Sequence, residues 1–262
     1  MTSAVSVVAD IGGSGTRFAT IRGGVLTDAG REAVSSYPQF LALLRSRCAA
    51  PRSVAVSTAR FVNSTTGQVR LSRAAPWAEG DLAGRLRRDL GCPVAVMNDG
   101  EAHALAMRRT NGVRFGALAV ALGTSVGIGV LGVDRRVIRP CSGENWDLGD
   151  LRLHSRAPDP SLWWALGSNG LHEMESVMGT DAAARHFGYR LGAFFVQLVI
   201  GFQPRTIVLS GGITVARSTV FLPTVHSELA SVPSHFVRPR ILVSPFRQAG
   251  LVGTAVAVSE LH

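Results

Sequence analysis

The chain has 262 residues, 46% of them hydrophobic, and no lysine; its 27 basic residues are all arginine, set against 18 acids for a formal charge of +9. That length suits one large domain or two small ones with a real core. The longest apolar run, Leu191 to Phe202, is interrupted by Gln197 and is too short to span a bilayer, so it reads as a buried helix. Cys48, Cys92 and Cys141 are odd in number and scattered, which argues against a disulfide framework or a cysteine zinc cluster and for a reducing cytoplasm. The opening MTSAVSVVAD has no basic leader segment and already reads as a strand, so a cytoplasmic protein is expected. The densest arginine groups are single pairs such as Arg87-Arg88, Arg108-Arg109 and Arg135-Arg136, without interleaved aromatics. They imply a solvated surface that attracts small polyanions, with no nucleic-acid or membrane partner.

In chain order, strands are expected near 4–9, 18–22 and 25–28, followed by a helix at 37–48 and a strand at 53–58. After a loop region come a helix at 79–91, a buried strand at 92–97 and a helix beginning at the acid-rich NDGEAHALA. FGALAVAL and GIGVLGV read as two strands joined by a glycine turn. The second half holds a helix around 182–201, a strand at 205–210, a helix near 218–230, a strand at 240–244 and a final helix at 249–261.

The stretch VVADIGGSGTRFAT (7–20) runs an apolar strand into an acid and a burst of glycine. Glycines after a strand lay backbone N–H groups open to phosphate. It is not a P-loop, which requires lysine, and it is not a dinucleotide fingerprint, because Phe18 stands where the last glycine belongs and a second strand follows. The glycines therefore sit in a hairpin, with Asp10 at the end of its first strand. A second hairpin of the same kind, AVALGTSVGIGVL (119–131), follows a little over a hundred residues later. Between them, MNDGEAHALA (97–106) ends a buried strand and places Asn98-Asp99 before a helix, where an aspartate is most often an N-cap. IVLSGGI (207–213) and AGLVGTAVA (249–257) complete the series.

Taken in order, these segments resemble the ROK family of sugar kinases, within the actin-like ATPase fold. DIGGSGTR is similar to that family's first phosphate loop, NDGEAHALA to its catalytic segment and ALGTSVGIGV to its second phosphate loop. LSGGI and AGLVGTA resemble its adenosine-side loop and closing helix. The resemblance implies an α/β fold of two similar lobes, each a mixed sheet with flanking helices, around a central cleft. It divides the chain at 1–112 and 113–262, with the final helix packing back on the first lobe. It implies an ATP- and Mg²⁺-dependent kinase acting on a primary hydroxyl of a sugar or cyclitol, with Asp99 as general base and Asn98 holding a neighbouring hydroxyl. Asp10 is expected to hold Mg²⁺ through water. Gly12, Gly13, Ser14 and Thr16 are expected to serve the phosphates from one loop, and Gly123, Thr124 and Ser125 from the other; Gly211 and Gly212 admit the adenosine. Arg17 reads equally as a phosphate contact or a strand-edge ion pair.

The departures from the family pattern bear on the substrate. DLGDLRL (147–153) stands where the family has a Glu-x-Gly-His segment, giving Asp147 and Asp150; an alternative register uses Glu144. In LGSNGLHE (166–173) two zinc-binding cysteines of the family become Leu166 and Leu171, while Glu173 remains. Leucine cannot ligate zinc, so no zinc site is expected. Ala74 takes the place of a sugar-contacting asparagine. With Asp147, Asp150 and Glu173 as substrate residues, excess carboxylate favours an amino-hexose of antibiotic-precursor type, then a cyclitol, over plain glucose. An ordinary glucokinase and a catalytically inactive sugar-binding sensor stay open as rival readings, as does a homodimer; a DNA-binding regulator is disfavoured because only three residues precede the first strand.

Overall fold

The computed structural model of the protein describes residues 5–72, 75–152 and 161–261. The first part of the chain forms β1 (Ser6–Gly12), β2 (Gly15–Arg22), β3 (Val25–Glu32), α1 (Tyr37–Arg47), β4 (Val54–Thr58), β5 (Phe61–Asn63), β6 (Gln68–Arg70), β7 (Gly80–Asp81), α2 (Leu82–Leu90), β8 (Val94–Asn98) and α3 (Asp99–Ala106). It continues with β9 (Ala117–Leu122), β10 (Val126–Leu131), β11 (Val137–Ile138), α4 (Leu162–Ala165), α5 (Ser168–Met178), α6 (Thr180–Phe202), β12 (Thr206–Ser210), α7 (Gly212–Leu229), β13 (Arg240–Val243) and α8 (Ala249–Val258). The architecture is α/β, with mixed sheets flanked by helices. Two units divide the chain. One comprises the chain through Arg109, Val137–Trp146 and the chain from Gln248 on; the other comprises Thr110–Arg136 and Asp147–Arg247.

In the first unit the main sheet has the order β3-β2-β1-β4-β8. β1, β2 and β3 are antiparallel, whereas β1, β4 and β8 run parallel. Parallel neighbours need crossover connections, which α1 and α2 supply. The period-two alternation of β1 sends Val7, Ala9 and Ile11 to the face where Phe40, Leu44, Leu82 and Leu86 pack. Val8 lies on the other face, against Ala102, Leu105, Leu251 and Val256 of α3 and α8. By the same alternation Asp10 points to the α3–α8 face, at the carboxyl ends of the parallel strands. These two helices meet backbone to backbone: a Cβ on Gly253 would stand 1.6 Å from the Ala102 carbonyl oxygen.

The stretch expected as a loop region carries a small sheet, β5-β6-β7. Its strands are too short for alternation to register; Val62 and Val69 are the only buried residues β5 and β6 contribute. Their polar neighbours make the segment read as a loop.

In the second unit the strands are ordered β10-β9-β12-β13, with β9, β12 and β13 parallel and β10 antiparallel to β9. Every residue of β9 and β12 is buried, as continuous apolar runs predict for parallel strands covered on both faces. α6 and α7 pack closely through Gly188, whose added Cβ would lie 2.6 Å from the Phe221 carbonyl oxygen. The Phe187 and Phe221 rings meet beside it at 5.6 Å. α7 begins six residues earlier than the sequence suggests. Gly211 (φ 95°) turns the chain sharply and Gly212 is already helical, so only the first of the glycine pair is loop. α5 was not foreseen, because its sequence reads as a departure from a metal-binding loop rather than as a helix.

Candidate active site

In the first unit the carboxyl ends of β1, β4 and β8 lie side by side, with Asp10 opposite Ser57 and Met97, and Ile11 opposite Thr58 and Asn98. Asp10 is only 7% exposed. A carboxylate so buried needs partners, and two side chains among the described residues hydrogen-bond to it. Ser57 Oγ donates to Oδ1 at 2.8 Å, and the Arg17 guanidinium donates to Oδ2 at 3.2 Å. Thr254 Oγ1 of α8 donates in turn to Ser57 Oγ at 3.0 Å. Gly250 presses on the carboxylate, since a Cβ there would stand 3.0 Å from Oδ2. His103, on α3, is held neutral-leaning: its pKa falls through burial, opposed by Asp10 and reinforced by Arg17. Arg17 is thus the ion-pair partner of Asp10. Ser57 and Thr254 were missed from the sequence; the visible signal was a strand, SVAVST, turning polar at its carboxyl end.

The turn after Asp10 carries Gly12, Gly13, Ser14 and Gly15, with Gly12 paired to Gly15 and Gly13 and Ser14 exposed. Thr16, at the start of β2, is 2% exposed.

Asn98 and Asp99 form the junction of β8 and α3. Asn98 caps the helix, its Oδ1 accepting from Gly100 N–H at 2.7 Å, while its Nδ2 donates to the Arg60 carbonyl at 2.8 Å. Arg60 has φ 75°, a conformation that strains a residue other than glycine. Asp99 is half-buried at the first turn, with Oδ1 sharing the Gly100 N–H at 2.9 Å. Two residues on, Glu101 is buried and forked by Arg139, through Nε at 2.9 Å and Nη2 at 3.1 Å; Ser64 Oγ donates to it at 2.6 Å. Nothing in the sequence pairs Glu101 with Arg139, 38 residues away. Thr58 Oγ1 is buried with no hydrogen-bond partner among the described residues.

In the second unit, the ends of β9 and β12 bring Gly123, Thr124 and Ser125 next to Gly211 and Gly212. Gly123 N–H donates to the Ser125 carbonyl at 3.0 Å, closing the turn. Gly211 packs on Leu122, whose carbonyl oxygen would meet its Cβ at 2.3 Å. Around Gly212 there is open space, and α7 starts there without a side-chain cap, leaving first-turn amides for an anion. α5 is anchored beside this edge, because Ser168 N–H donates to the Gly123 carbonyl at 2.9 Å.

Of the residues in this unit expected from the sequence to meet substrate, Asp147 accepts from Gly149 N–H at 3.2 Å, and Asp150 is exposed. Glu173 is exposed on α5 and interacts with Arg190, whose guanidinium lies 5.7 Å from the Trp164 ring centre. Burial lowers the Arg190 pKa and Glu173 opposes that shift. Glu144, in the first unit, is bound by Arg70 through contacts of 2.6, 2.8 and 2.9 Å, which commits it to structure. Leu166 and Leu171 are buried in apolar packing. Ala74, His154 and Arg156 lie outside the described residues. Among the described residues no group of three or more His, Cys, Asp or Glu is placed to hold a metal ion.

The sequence profile of the ROK family matches residues 28–159. No curated protein matches the chain. Its fold is similar to that of a ROK family glucokinase from Streptomyces griseus, solved with glucose and AMPPNP, at TM-score 0.82 and 16% identity over 98% of this chain and 100% of that one. A ROK hexokinase from Thermus thermophilus superposes at TM-score 0.78 and 19% identity, covering 98% of each chain. A ROK family transcriptional regulator, a homolog of the E. coli MLC protein, superposes at TM-score 0.79 and 16% identity, covering 99% of this chain and 78% of that one.

Proposed function

The chain belongs to the ROK family, and from that premise we propose that it transfers the γ-phosphoryl group of ATP to a primary hydroxyl of a sugar or sugar-like small molecule. The observation that carries the reading is the pair of aspartates at one sheet edge of the first unit. Asp10 is buried and hydrogen-bonded, whereas Asp99 is half-buried on a helix first turn, where its Oδ1 accepts from the Gly100 N–H. Phosphoryl transfer asks for such a division: one carboxylate to organise the phosphate's counter-ion, another to take a proton.

Asp99 accepts the hydroxyl proton as that oxygen attacks phosphorus; an O–P bond forms, the bond to the β-phosphate oxygen breaks, and ADP leaves. Asn98 fixes the junction, with one amide proton and one lone pair left for a substrate hydroxyl. Gly12, Gly13, Ser14 and Thr16 offer donors to phosphate in the first unit; Gly123, Thr124 and Ser125, with Gly211 and Gly212, do so in the second. The donor set fits Mg²⁺ at Asp10. Both carboxylate oxygens already accept one hydrogen bond, which suits ligation through metal-bound water, and Mg²⁺ keeps several waters. When bound, it neutralises charge building on the phosphates.

For the acceptor we rank an amino-hexose above a C7-cyclitol and glucose. The exposed Asp150 supports this ranking; Glu173 supports it less, because Arg190 interacts with it. The test of the whole reading is ADP release over a panel of sugars and cyclitols, with Asp99→Asn beside the native protein. The variant should lose at least about a hundredfold in kcat while still binding ATP. Near-normal turnover in Asp99→Asn would remove the base; no turnover with any acceptor would favour a sugar-binding sensor.

A further inference from the structure

The arginines of the second unit are dispersed in the sequence but converge in the fold. Segments 110–116, 131–136, 203–206 and 230–240 contain six arginines and a single acid, Asp134. All four segments lie at the amino-terminal edge of the parallel strands, opposite the edge that carries Gly123 and Gly211. The register fixes this: Ala117, Thr206 and Arg240 are paired neighbours at the starts of β9, β12 and β13, and Leu131 at the end of β10 pairs with Ala117.

Arg114, Arg135, Arg136, Arg205, Arg238 and Arg240 are all exposed. Backbone bonds lock their spacing, with Arg205 N–H donating to the Gly116 carbonyl at 2.8 Å and Arg240 N–H to the Arg205 carbonyl at 3.1 Å. Strands are about 4.8 Å apart, so four of them spread these cations over about 14 Å. Asp134 lies 3.9 Å from Arg136, an exposed contact that offsets little of the charge.

Two valines protrude from the same edge. Val133 is 69% exposed and Val237 is 81% exposed. Val133 adjoins Arg205 across Gly116, whose added Cβ would meet both side chains, and Val237 precedes Arg238.

We propose that this edge docks on an anionic phospholipid surface, with the arginines on lipid phosphates and Val133 and Val237 among the headgroups. Clusters of four to eight basic residues are what such surfaces recruit. A second copy of the chain does not fit, since it carries the same +9 charge. Single-stranded nucleic acid asks for stacking platforms. Here Phe115 lies under the Arg135 guanidinium at 4.5 Å, and the Phe236 ring is taken up by His235 at 4.4 Å. A phosphate polymer alone leaves the bare valines without a role.

The test is co-sedimentation of the full chain with phosphatidylcholine vesicles, with and without phosphatidylglycerol. Binding is expected only to the anionic vesicles, and it should vanish near 1 M salt, where screening acts within about 3 Å. The triple variant Arg114→Gln, Arg136→Gln, Arg205→Gln should bind roughly a hundredfold more weakly, at about fivefold per arginine. Val133→Ser with Val237→Ser should weaken binding several-fold without changing charge. These positions are exposed, so an unchanged melting curve checks that each variant is folded. Equal binding to neutral and anionic vesicles, or indifference to the triple variant, overturns the proposal. So does tighter binding of an oligonucleotide or polyphosphate that ignores the valine substitutions.

Discussion

Glu101 and Arg139 provide a measurement in which the two halves of one ion pair should behave unequally. The Glu101 side chain is 3% exposed and that of Arg139 is 33% exposed. At 2.9 Å, with an effective dielectric constant near 20, the gross attraction is about 6 kcal/mol. Desolvation offsets most of it, so the net value of the pair is small. Removing one partner is another matter. In Arg139→Ala the carboxylate stays buried with Ser64 as its remaining donor, and about 3 kcal/mol of stability should be lost, the lower end for a stranded buried charge. In Glu101→Gln the guanidinium can turn to water, and the amide oxygen still accepts from Ser64, so the loss should be about 1 kcal/mol. The double variant should then be more stable than Arg139→Ala alone. Urea unfolding followed by circular dichroism measures all three. An Arg139→Ala loss no larger than that of Glu101→Gln would refute the reasoning, because it would mean Glu101 is solvated.

Gly253→Ala should destabilise the protein by at least about 3 kcal/mol, because its methyl group has only the Ala102 carbonyl to enter, whereas Gly212→Ala, facing open space, should leave the melting temperature nearly unchanged; thermal melts compare them. Protein purified without added metal should hold far less than one zinc per chain by elemental analysis, because the buried Leu166 and Leu171 stand where the resemblance puts two of the family's zinc-binding cysteines, and leucine cannot ligate zinc. Stoichiometric zinc that resists chelation would overturn that and direct attention to His172, Asp150 and His154.

The elements that sequence made legible are those whose signal is local. AVALGTSVGIGVL gave both strands and their turn, and DLAGRLRRDLG gave a helix capped by Asp81 and closed by Gly91 in the left-handed conformation. The strand IVLS was legible because a buried parallel strand is a continuous apolar run. What escaped depends on partners far along the chain. Strands β5 to β7 make sense only against one another, and Ser57 acquires its role only when Thr254, 197 residues away, reaches it. The final helix was expected on the first lobe, but its close contact with α3 was hidden for the same reason: AGLVGTAVA shows small residues but not the carbonyl that makes Gly253 obligatory. Charge was the least legible property. Arginines in four segments looked like scattered surface, and only strand register gathers them at one edge.

The choice of acceptor also turns on charge. If Asp147, Asp150 and Glu173 all faced the acceptor uncompensated, they would call for a cation. Glu173 is weakened as such a demand, since Arg190 interacts with it. Asp147 has a backbone N–H donor from Gly149, which a neutral hydroxyl can supplement. Asp150 is exposed and carries the remaining demand. An exposed carboxylate facing an ammonium contributes up to about 1 kcal/mol, or about fivefold. We therefore expect kcat/KM for 2-amino- and 3-amino-glucose to exceed that for glucose by about this factor, with a valiolone-type cyclitol between them. Asp150→Asn should erase the advantage by raising KM for the amino sugars while leaving glucose unchanged, because the lost contact is made equally in the ground and transition states. A preference for glucose over both amino sugars that survives Asp150→Asn would mean that Asp150 faces solvent, and that the pocket is one for an ordinary hexose.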